Sequence, residues 1–192
     1  YNSKRLKGKP LEIIGNKPMI QHVYESCKAT INELVVATDD IRIFEAVESF
    51  GGNAVMTSEN HETGTNRCKE AYEKWSLKTE KKFNYIINIQ GDEPLINSDM
   101  LLNFSTIVDS LENHNYLVNG VNPISPDGDH DPNIVKAYCD ENNNVIRLTR
   151  RPNPTRSYLS NPPLSHLKRQ LGLYGGLFGS FETFKSLPKS QT

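Results

Sequence analysis

Apolar residues recur every three or four positions in four stretches of the chain, which is the spacing of helices with one buried face. The first helix is predicted to open at Pro18, because proline suits the first turn of a helix. The second is predicted to end at Gly51 and Gly52, a C-capping signal, and a last helix is predicted to begin near Phe181. The predicted buried positions of the four helices are Ile20, Val23, Tyr24 and Cys27; Ile43, Phe44 and Val47; Cys68, Ala71, Tyr72 and Trp75; and Leu101, Phe104, Ile107, Val108 and Leu111.

Short apolar runs lie between the predicted helices and indicate buried strands. They occupy residues 33–37, 54–56, 85–89, 116–121 and 170–174. Two further runs, 134–139 and 145–148, flank a polar stretch and predict an antiparallel hairpin. Thr65 or Asn66 is expected to cap the third helix, and Ser98 the fourth. Because strands and helices alternate with short connections, we predict an α/β fold with a mixed, mainly parallel, Rossmann-like sheet, helices on both faces, and the added hairpin.

The length of 192 residues fits one domain, and the composition allows it a hydrophobic core, since 36% of the residues are hydrophobic and 23% are charged. A net charge of −1 lacks the basic excess of nucleic-acid-binding proteins. No apolar run is long enough to cross a membrane, and no signal peptide is visible. The three cysteines, Cys27, Cys68 and Cys139, form no CxxC pair, which favours a reducing compartment without disulfides or structural zinc. We therefore expect a cytoplasmic protein without nucleic-acid or membrane partners.

The apolar run 85–89 ends abruptly in the polar turn Gln90-Gly91-Asp92-Glu93-Pro94. Two carboxylates therefore follow the carboxyl end of a predicted strand, which is the edge where open α/β sheets bind ligands. Mg²⁺ prefers one or two carboxylates together with substrate phosphates, so this turn could hold that ion. The pattern fits a solvated acidic turn equally well.

Two other segments have the composition of ligand-binding loops. The segment 1–11 contains four cations around Gly8, and backbone amides with such cations can hold phosphates, although the sequence is not a Walker A motif. It also fits a solvated basic loop. The segment 57–67 places hydroxyls, Gly64 and Arg67 where a strand is predicted to lead into a helix. His61 has no partner at metal-ligand spacing, and we expect it to form hydrogen bonds in the loop.

Seven motifs in a fixed order make the chain resemble the cytidylyltransferases that activate 3-deoxy-D-manno-octulosonate (Kdo) as its CMP-sugar. Each motif alone is weak, but the order and the spacing are specific, and the resemblance runs almost from end to end. The motifs are SKRLKGKPL at 3–11, GNKPMI at 15–20, VATD at 36–39, MT at 56–57 with HETGTNR at 61–67, QGDEP at 90–94, PNIVK at 132–136 and LGLYG at 171–175.

The resemblance implies a nucleotide-diphospho-sugar transferase-like fold and a reaction of CTP with Kdo that gives CMP-Kdo and pyrophosphate for lipopolysaccharide biosynthesis. It implies Mg²⁺ as cofactor and a homodimer. Lys9 and Asp92 would be the catalytic pair, with Asp92 as the metal ligand. The residues implied for the nucleotide are Ser3, Arg5, Lys9, Thr63, Gly64, Thr65, Arg67 and Gln90, and those implied for the sugar are Gln90, Arg150, Gln170 and Tyr174.

The chain departs from the family pattern at its ends and near the implied sugar site. The family has a strand and a Pro-Ala-Arg segment before the position of Tyr1, and a Glu-rich helix, a dimer region and a second metal-binding aspartate after that of Thr192. We therefore expect residues 1–192 to form a single cytidylyltransferase domain truncated at both ends, with a hairpin, sugar-site and dimer-side region at 134–178. TRRPNP stands at 149–154 in place of Ser-Arg-x-x-Ile-Pro, and Gln170 replaces a basic or histidine residue.

These departures keep three other interpretations open. The substrate could be 8-amino-Kdo or another ulosonic acid, as in sialate cytidylyltransferases. The chain could be a catalytically silent binding domain that keeps the fold. It could also be an α/β domain with ordinary polar loops, which would show no nucleotide-specific stabilisation.

Overall fold

A computed structural model describes residues 8–112, 116–125, 127–151 and 167–186. It divides the chain into two compact units. The first contains the described residues up to Val118 and from Gly175 onward, and the second contains Asn119–Tyr174. A single domain over residues 1–192 stays a prediction, because compact units of one chain can belong to the same domain.

Among the described residues, the first unit contains five helices and most of the strands. Its strands are β1 (Ile13–Ile14), β2 (Lys17–Pro18), β3 (Val36–Thr38), β4 (Ala54–Met56) and β5 (Tyr85–Ile89), and its helices are α1 (Met19–Lys28), α2 (Ile41–Ser49), α3 (Gly64–Thr79), α4 (Ser98–Asp109) and α5 (Phe178–Ser186), with a 3₁₀ turn at Lys9–Leu11. The second unit contains β6 (Val118–Pro123), whose first residue belongs to the first unit, β7 (Lys136–Cys139), β8 (Val145–Thr149) and a 3₁₀ turn at Asp127–Asp129. The long strand β9 (Leu167–Leu177) begins in the second unit and ends in the first.

The core of the first unit forms where the periodic apolar positions of the helices meet the strands. Ile20 of α1, Ile43 and Val47 of α2 and Ala54 of β4 pack in one buried cluster. The predicted stripe of α1 is confirmed, since Ile20, Val23, Tyr24 and Cys27 are all buried. Ile107 was predicted to be buried in α4 but is 51% exposed. Leu101, Phe104 and Val108 already define the buried face of that helix, and Ile107 lies off this face.

Both predicted helix caps are displaced towards the N-terminus. Thr63 caps α3, and its hydroxyl accepts a hydrogen bond from the backbone N–H of Asn66 at 3.2 Å. Asn97 caps α4 in the same way, through the N–H of Met100 at 2.9 Å. The predictions of Thr65 or Asn66 and of Ser98 were therefore wrong. A side-chain oxygen caps the N–H groups two or three residues further on, so the capping residue must precede the first helical turn.

The strand pairing confirms a mixed α/β fold. β3 and β4 are parallel, with Val36 opposite Ala54 and Thr38 opposite Met56. In the second unit β7 is antiparallel to both β8 and β9, which confirms the predicted hairpin. The turn of the hairpin is held by the Asp140 carboxylate, which accepts hydrogen bonds from the backbone of Asn142 and Asn144. None of the helices within the described ranges is both long and apolar enough to span a membrane.

Candidate functional site

The two predicted catalytic side chains, Lys9 and Asp92, form an ion pair although 83 residues separate them in the chain. The Lys9 ammonium lies 2.7 Å from the Asp92 carboxylate, and the two side chains are 33% and 40% exposed. Lys9 begins the 3₁₀ turn directly after Gly8, which adopts a left-handed conformation with φ of 77°. The arrangement places one cation and one carboxylate side by side at the surface of the first unit.

The turn after β5 presents Asp92 because its neighbours anchor it. The N–H of Glu93 donates to the carbonyl of Gln90 at 3.1 Å, which closes the turn. Ile96, further along, is buried. A Cβ at Gly91 would lie 3.1 Å from a methyl of Ile20, so this position is packed closely against α1. The Gln90 side chain, predicted to face the base or the sugar, is exposed.

The predicted nucleotide segment Thr63–Gly64–Thr65 forms the start of α3. Thr63 is the N-cap, Gly64 is the first helical residue, and Thr65 is buried in the first turn. The N–H groups at the start of a helix and the positive end of its dipole attract anions such as phosphate. Binding of a nucleotide phosphate by this segment stays a prediction.

Arg67 lies in the first turn of α3 and makes two contacts with protein oxygens. Its guanidinium donates to the Asp39 carboxylate at 2.7 Å and to the Thr57 hydroxyl at 2.5 Å. The Arg67 side chain is 19% exposed and that of Asp39 is 26% exposed. Asp39 and Thr57 directly follow the carboxyl ends of the parallel strands β3 and β4. A role of Arg67 in lining the nucleotide pocket stays a prediction.

The loop between β4 and α3 is also held by Glu70, one turn further along α3. The Glu70 carboxylate accepts a hydrogen bond from the backbone N–H of Ser58 and contacts the His61 imidazole and the Lys74 ammonium. Lys74, followed by the Ser58 amide and His61, lowers the pKa of Glu70 from 4.5 to about 2. His61 lies in the loop and hydrogen-bonds to Glu70 of α3, as expected of a loop or hydrogen-bonding histidine.

Two of the predicted sugar ligands in the second unit are held by neighbouring backbone and side chains. The Arg150 guanidinium donates to the carbonyl of Asn133 at 2.7 Å. The Gln170 side chain donates to that of Asn119 at 2.9 Å. Tyr174, the third, is half-buried on β9.

Sequence analysis placed Lys136 in the PNIVK motif but gave it no role, and the structure shows it fully buried in the second unit. Its ammonium donates to the carbonyls of Asp131 at 2.6 Å, Arg150 at 3.1 Å and Ile134 at 3.4 Å. A lysine within an otherwise apolar run was the signal that could have shown it, since lysine is almost never fully buried. Ser3 and Arg5, predicted to bind the triphosphate, lie outside the described residues, as do residues 152–154 of the TRRPNP segment.

The residues that the structure describes contain no group of three His, Cys, Asp or Glu side chains that could enclose a metal ion. Asp92 offers a partly exposed carboxylate in the turn after β5. Mg²⁺ usually keeps several waters and takes one or two protein carboxylates together with substrate phosphates. The donor set at Asp92 therefore fits a Mg²⁺ ion whose other ligands come from a nucleotide and from water.

Comparison with known proteins shows the same family along the whole chain. The family model for cytidylyltransferases matches residues 1–178. The 3-deoxy-manno-octulosonate cytidylyltransferase of Thermodesulfovibrio yellowstonii is 37% identical, over 100% of this chain and 77% of the relative. The 8-amino-3,8-dideoxy-manno-octulosonate cytidylyltransferase of Shewanella pealeana is 38% identical, over 98% of this chain and 76% of the relative.

Solved structures agree with the sequence relatives. The structure of CMP:2-keto-3-deoxy-manno-octonic acid synthetase complexed with CTP matches with a TM-score of 0.81 and 33% identity, over 100% of this chain and 76% of that one. The 4-diphosphocytidyl-2C-methyl-D-erythritol synthase of Anaerococcus prevotii, 11% identical with a TM-score of 0.59 over 97% of this chain and 75% of that one, shares the fold. The motifs, the fold and the relatives agree, and the chain belongs to the 3-deoxy-manno-octulosonate cytidylyltransferase family of cytidylyltransferases.

Proposed function

We propose that the protein transfers CMP from CTP to 3-deoxy-manno-octulosonate and releases pyrophosphate. The observation that carries this proposal is the ion pair of Lys9 and Asp92, because it brings together the cation that we infer for the phosphates and the carboxylate that we infer for the metal. The sequence relatives with this activity in their names support the same sugar. A cytoplasmic homodimer that serves lipopolysaccharide biosynthesis is part of the proposal.

The reaction requires no covalent intermediate with the protein. The anomeric hydroxyl oxygen of the sugar acid attacks the α-phosphorus of CTP and loses its proton to solvent, and the bond from that phosphorus to the pyrophosphate oxygen breaks, so that pyrophosphate leaves with the electron pair. Such a displacement depends on positioning and on neutralising phosphate charge. Lys9 would neutralise the departing pyrophosphate, and the first turn of α3 would bind the nucleotide through its N–H groups. Mg²⁺ held by Asp92 would supply further charge neutralisation when bound.

The exposure of the Lys9–Asp92 pair suits this exchange of partners. Ion pairs that are as exposed as this one contribute only about 0–1 kcal/mol to stability. Lys9 can therefore leave Asp92 for a phosphate at little cost, and Asp92 then becomes available to the metal. In the second unit, Arg150 would bind the carboxylate of the sugar acid, and Gln170 and Tyr174 would contact its hydroxyls.

A second candidate substrate is the 8-amino sugar acid. One observation favours it: the Shewanella pealeana relative is as similar to this chain as the Kdo enzymes are. The resemblance to the family also implies a basic or histidine residue at the position of Gln170. The two candidates share the nucleotide chemistry and differ in a single substituent of the acceptor. Turnover with each acceptor distinguishes them.

The first test is thermal unfolding of the chain with Mg²⁺ and each of CTP, UTP, ATP and GTP. A ligand at 100 times its Kd stabilises the native state by about 2.7 kcal/mol. For a chain of this size that corresponds to an increase of about 5–11 °C in Tm. We expect this increase with CTP only.

Pyrophosphate release with each sugar acid then tests turnover. Release with Kdo supports the proposal, and release with the 8-amino sugar acid alone favours the second candidate. A CTP-specific shift without release from any ulosonic acid would support a silent binding domain. No shift with any nucleotide would contradict both enzyme proposals.

A further inference from the structure

The carboxyl ends of β3 and β4 are joined by hydrogen bonds from Thr57, one residue past the last pair of Thr38 and Met56. The backbone N–H and the hydroxyl of Thr57 both donate to the carbonyl of Thr38, at 2.8 Å and 3.1 Å. Thr38 and Thr57 are both buried. This joint fixes where the two strands end and where the following Asp39 begins.

Arg67 connects this joint to α3. One nitrogen of its guanidinium donates to the Thr57 hydroxyl and the other to the Asp39 carboxylate, so a single side chain contacts the ends of both strands. The backbone N–H of Arg67 donates to the carbonyl of Thr63 at 3.3 Å, within the first turn of α3. Hydrogen bonds between charged groups are roughly twice as strong as neutral ones, and partial burial strengthens them further.

Asp40, the next residue along, shows that this connection is specific to Asp39. Its carboxylate caps α2 and pairs with Arg42, two residues away and 56% exposed, at 2.6 Å. Asp40 therefore acts within its own helix, whereas Asp39 contacts a residue 28 positions away. The two consecutive aspartates have different structural roles.

Glu70 secures the other part of the β4–α3 loop. The Glu70 carboxylate accepts a hydrogen bond from the backbone N–H of Ser58 and contacts the His61 imidazole. Arg67 donates to the hydroxyl of Thr57, the residue before Ser58. Arg67 and Glu70 are three residues apart and lie on the same side of α3. The conformation of the loop that leads into Thr63–Gly64–Thr65 is thus set by two charged residues of the helix that it precedes.

We propose that Asp39 and Arg67 are positioning residues for the cytidine nucleotide. They hold the first turn of α3 at the ends of β3 and β4, and Arg67 acts on the nucleotide through that turn without binding a phosphate itself. The two terminal nitrogens of the Arg67 guanidinium already donate to protein acceptors, the Thr57 hydroxyl and the Asp39 carboxylate. The inference rests on the proposed function, because it explains what holds Thr63–Gly64–Thr65, the segment proposed to bind the nucleotide, in place.

A double-mutant cycle on CTP binding distinguishes this role from direct phosphate binding. Asp39→Asn and Arg67→Met each remove one side of the pair, and we expect each to weaken CTP binding by about 5- to 30-fold. The double variant should bind CTP within about twofold of the weaker single variant, because both changes break the same connection. CMP binding should fall by the same factor as CTP binding, because the first turn of α3 is used by both nucleotides.

Arg67→Lys is the conservative test of the contact geometry. A lysine keeps the charge and could still bind a phosphate, but it cannot reach two acceptors with a planar fork. We therefore expect no rescue by Arg67→Lys. Arg42→Gln removes the neighbouring Arg–Asp pair that does not reach α3, and we expect it to bind CTP within twofold of the unchanged protein.

A measurement without nucleotide decides whether the connection exists. We expect faster amide hydrogen exchange over residues 57–66 in Asp39→Asn and Arg67→Met but not in Arg42→Gln. Unchanged hydrogen exchange in Asp39→Asn and Arg67→Met would overturn the proposal. It would also be overturned if the fold-losses of CTP affinity of the two single variants multiplied in the double variant, or if CMP affinity did not fall with CTP affinity. If the protein without substitutions bound no CTP, the proposed function would be overturned. The hydrogen-exchange measurement needs no nucleotide and therefore tests the role of Asp39 and Arg67 independently.

Discussion

Asp92→Asn separates the chemical role of the Lys9–Asp92 pair from its structural role. Asparagine keeps the shape of the side chain and removes the charge. The two side chains of the pair are 33% and 40% exposed, and pairs with such exposure contribute about 0.2–1 kcal/mol to the free energy of unfolding. For a chain of this length 1 kcal/mol corresponds to about 2–4 °C in Tm. We therefore expect Tm to fall by no more than about 4 °C.

The effect of Asp92→Asn on catalysis should be much larger. If this carboxylate holds the metal that neutralises the phosphates, its loss removes charge stabilisation that is needed only while the α-phosphorus reacts. Loss of one group with such a role typically lowers turnover by about 100- to 1,000-fold. The assay is pyrophosphate release from CTP and Kdo at saturating Mg²⁺, together with thermal unfolding of the same preparation.

Glu25→Gln is the matched control for this experiment. It breaks the Lys17–Glu25 pair, which also has a distance of 2.7 Å and side chains that are 36% and 45% exposed. We expect a similar small decrease in Tm and unchanged turnover. Unchanged turnover in Asp92→Asn would refute the metal assignment. A decrease in Tm far beyond that of Glu25→Gln would refute the argument that the pair is structurally minor.

Three further predictions concern charge, packing and pH. Lys9→Ala should weaken binding of CTP more than that of CMP, measured by calorimetric titration; equal losses would argue against a contact with the β- or γ-phosphate. Gly175→Ala would place a Cβ 2.8 Å from the carbonyl oxygen of Ile86, and we expect a cost of about 1–3 kcal/mol in urea unfolding, so an unchanged midpoint would contradict this packing. The pKa of Glu70 is lowered to about 2, chiefly by Lys74. The contribution of the Glu70 carboxylate to the free energy of unfolding is therefore complete above pH 4.5 and is lost as the pH falls towards 2. Glu70→Gln should therefore lose less stability than the unchanged protein between pH 5 and pH 3, and parallel stability curves would count against the contact.

The sequence predicted best what depends on repeated local spacing. The stripe of α1 and the strand β4 (Ala54–Met56) were predicted residue by residue, because several apolar positions determine each of them. The caps at Thr63 and Asn97 were missed, because neighbouring hydroxyl and amide side chains have similar capping preferences and only the backbone conformation selects one. β9 was predicted too short, since its residues before 170 and after 174 carry no clear alternation of apolar and polar positions.

Sequence analysis could not distinguish two of the cation–carboxylate pairs of the first unit, Lys9–Asp92 and Arg67–Asp39. Lys9 and Arg67 both lie in glycine-containing motifs and were both predicted to bind the nucleotide, and each lies 2.7 Å from an aspartate. Within the described part of the chain, the Lys9 ammonium contacts the Asp92 carboxylate, and the two side chains are 33% and 40% exposed. Arg67 makes two contacts, to acceptors at the ends of two strands, and is 19% exposed.

Burial and the number of acceptors therefore assign different roles to the same type of pair. A single exposed contact can be exchanged for a phosphate at a cost of about 1 kcal/mol or less. Removing Arg67 from both acceptors would leave a partly buried carboxylate without its cation, and this costs considerably more. On this argument we expect Lys9 to be the cation that moves to a substrate during the reaction, and Arg67 to be the one that keeps the proposed nucleotide segment in place.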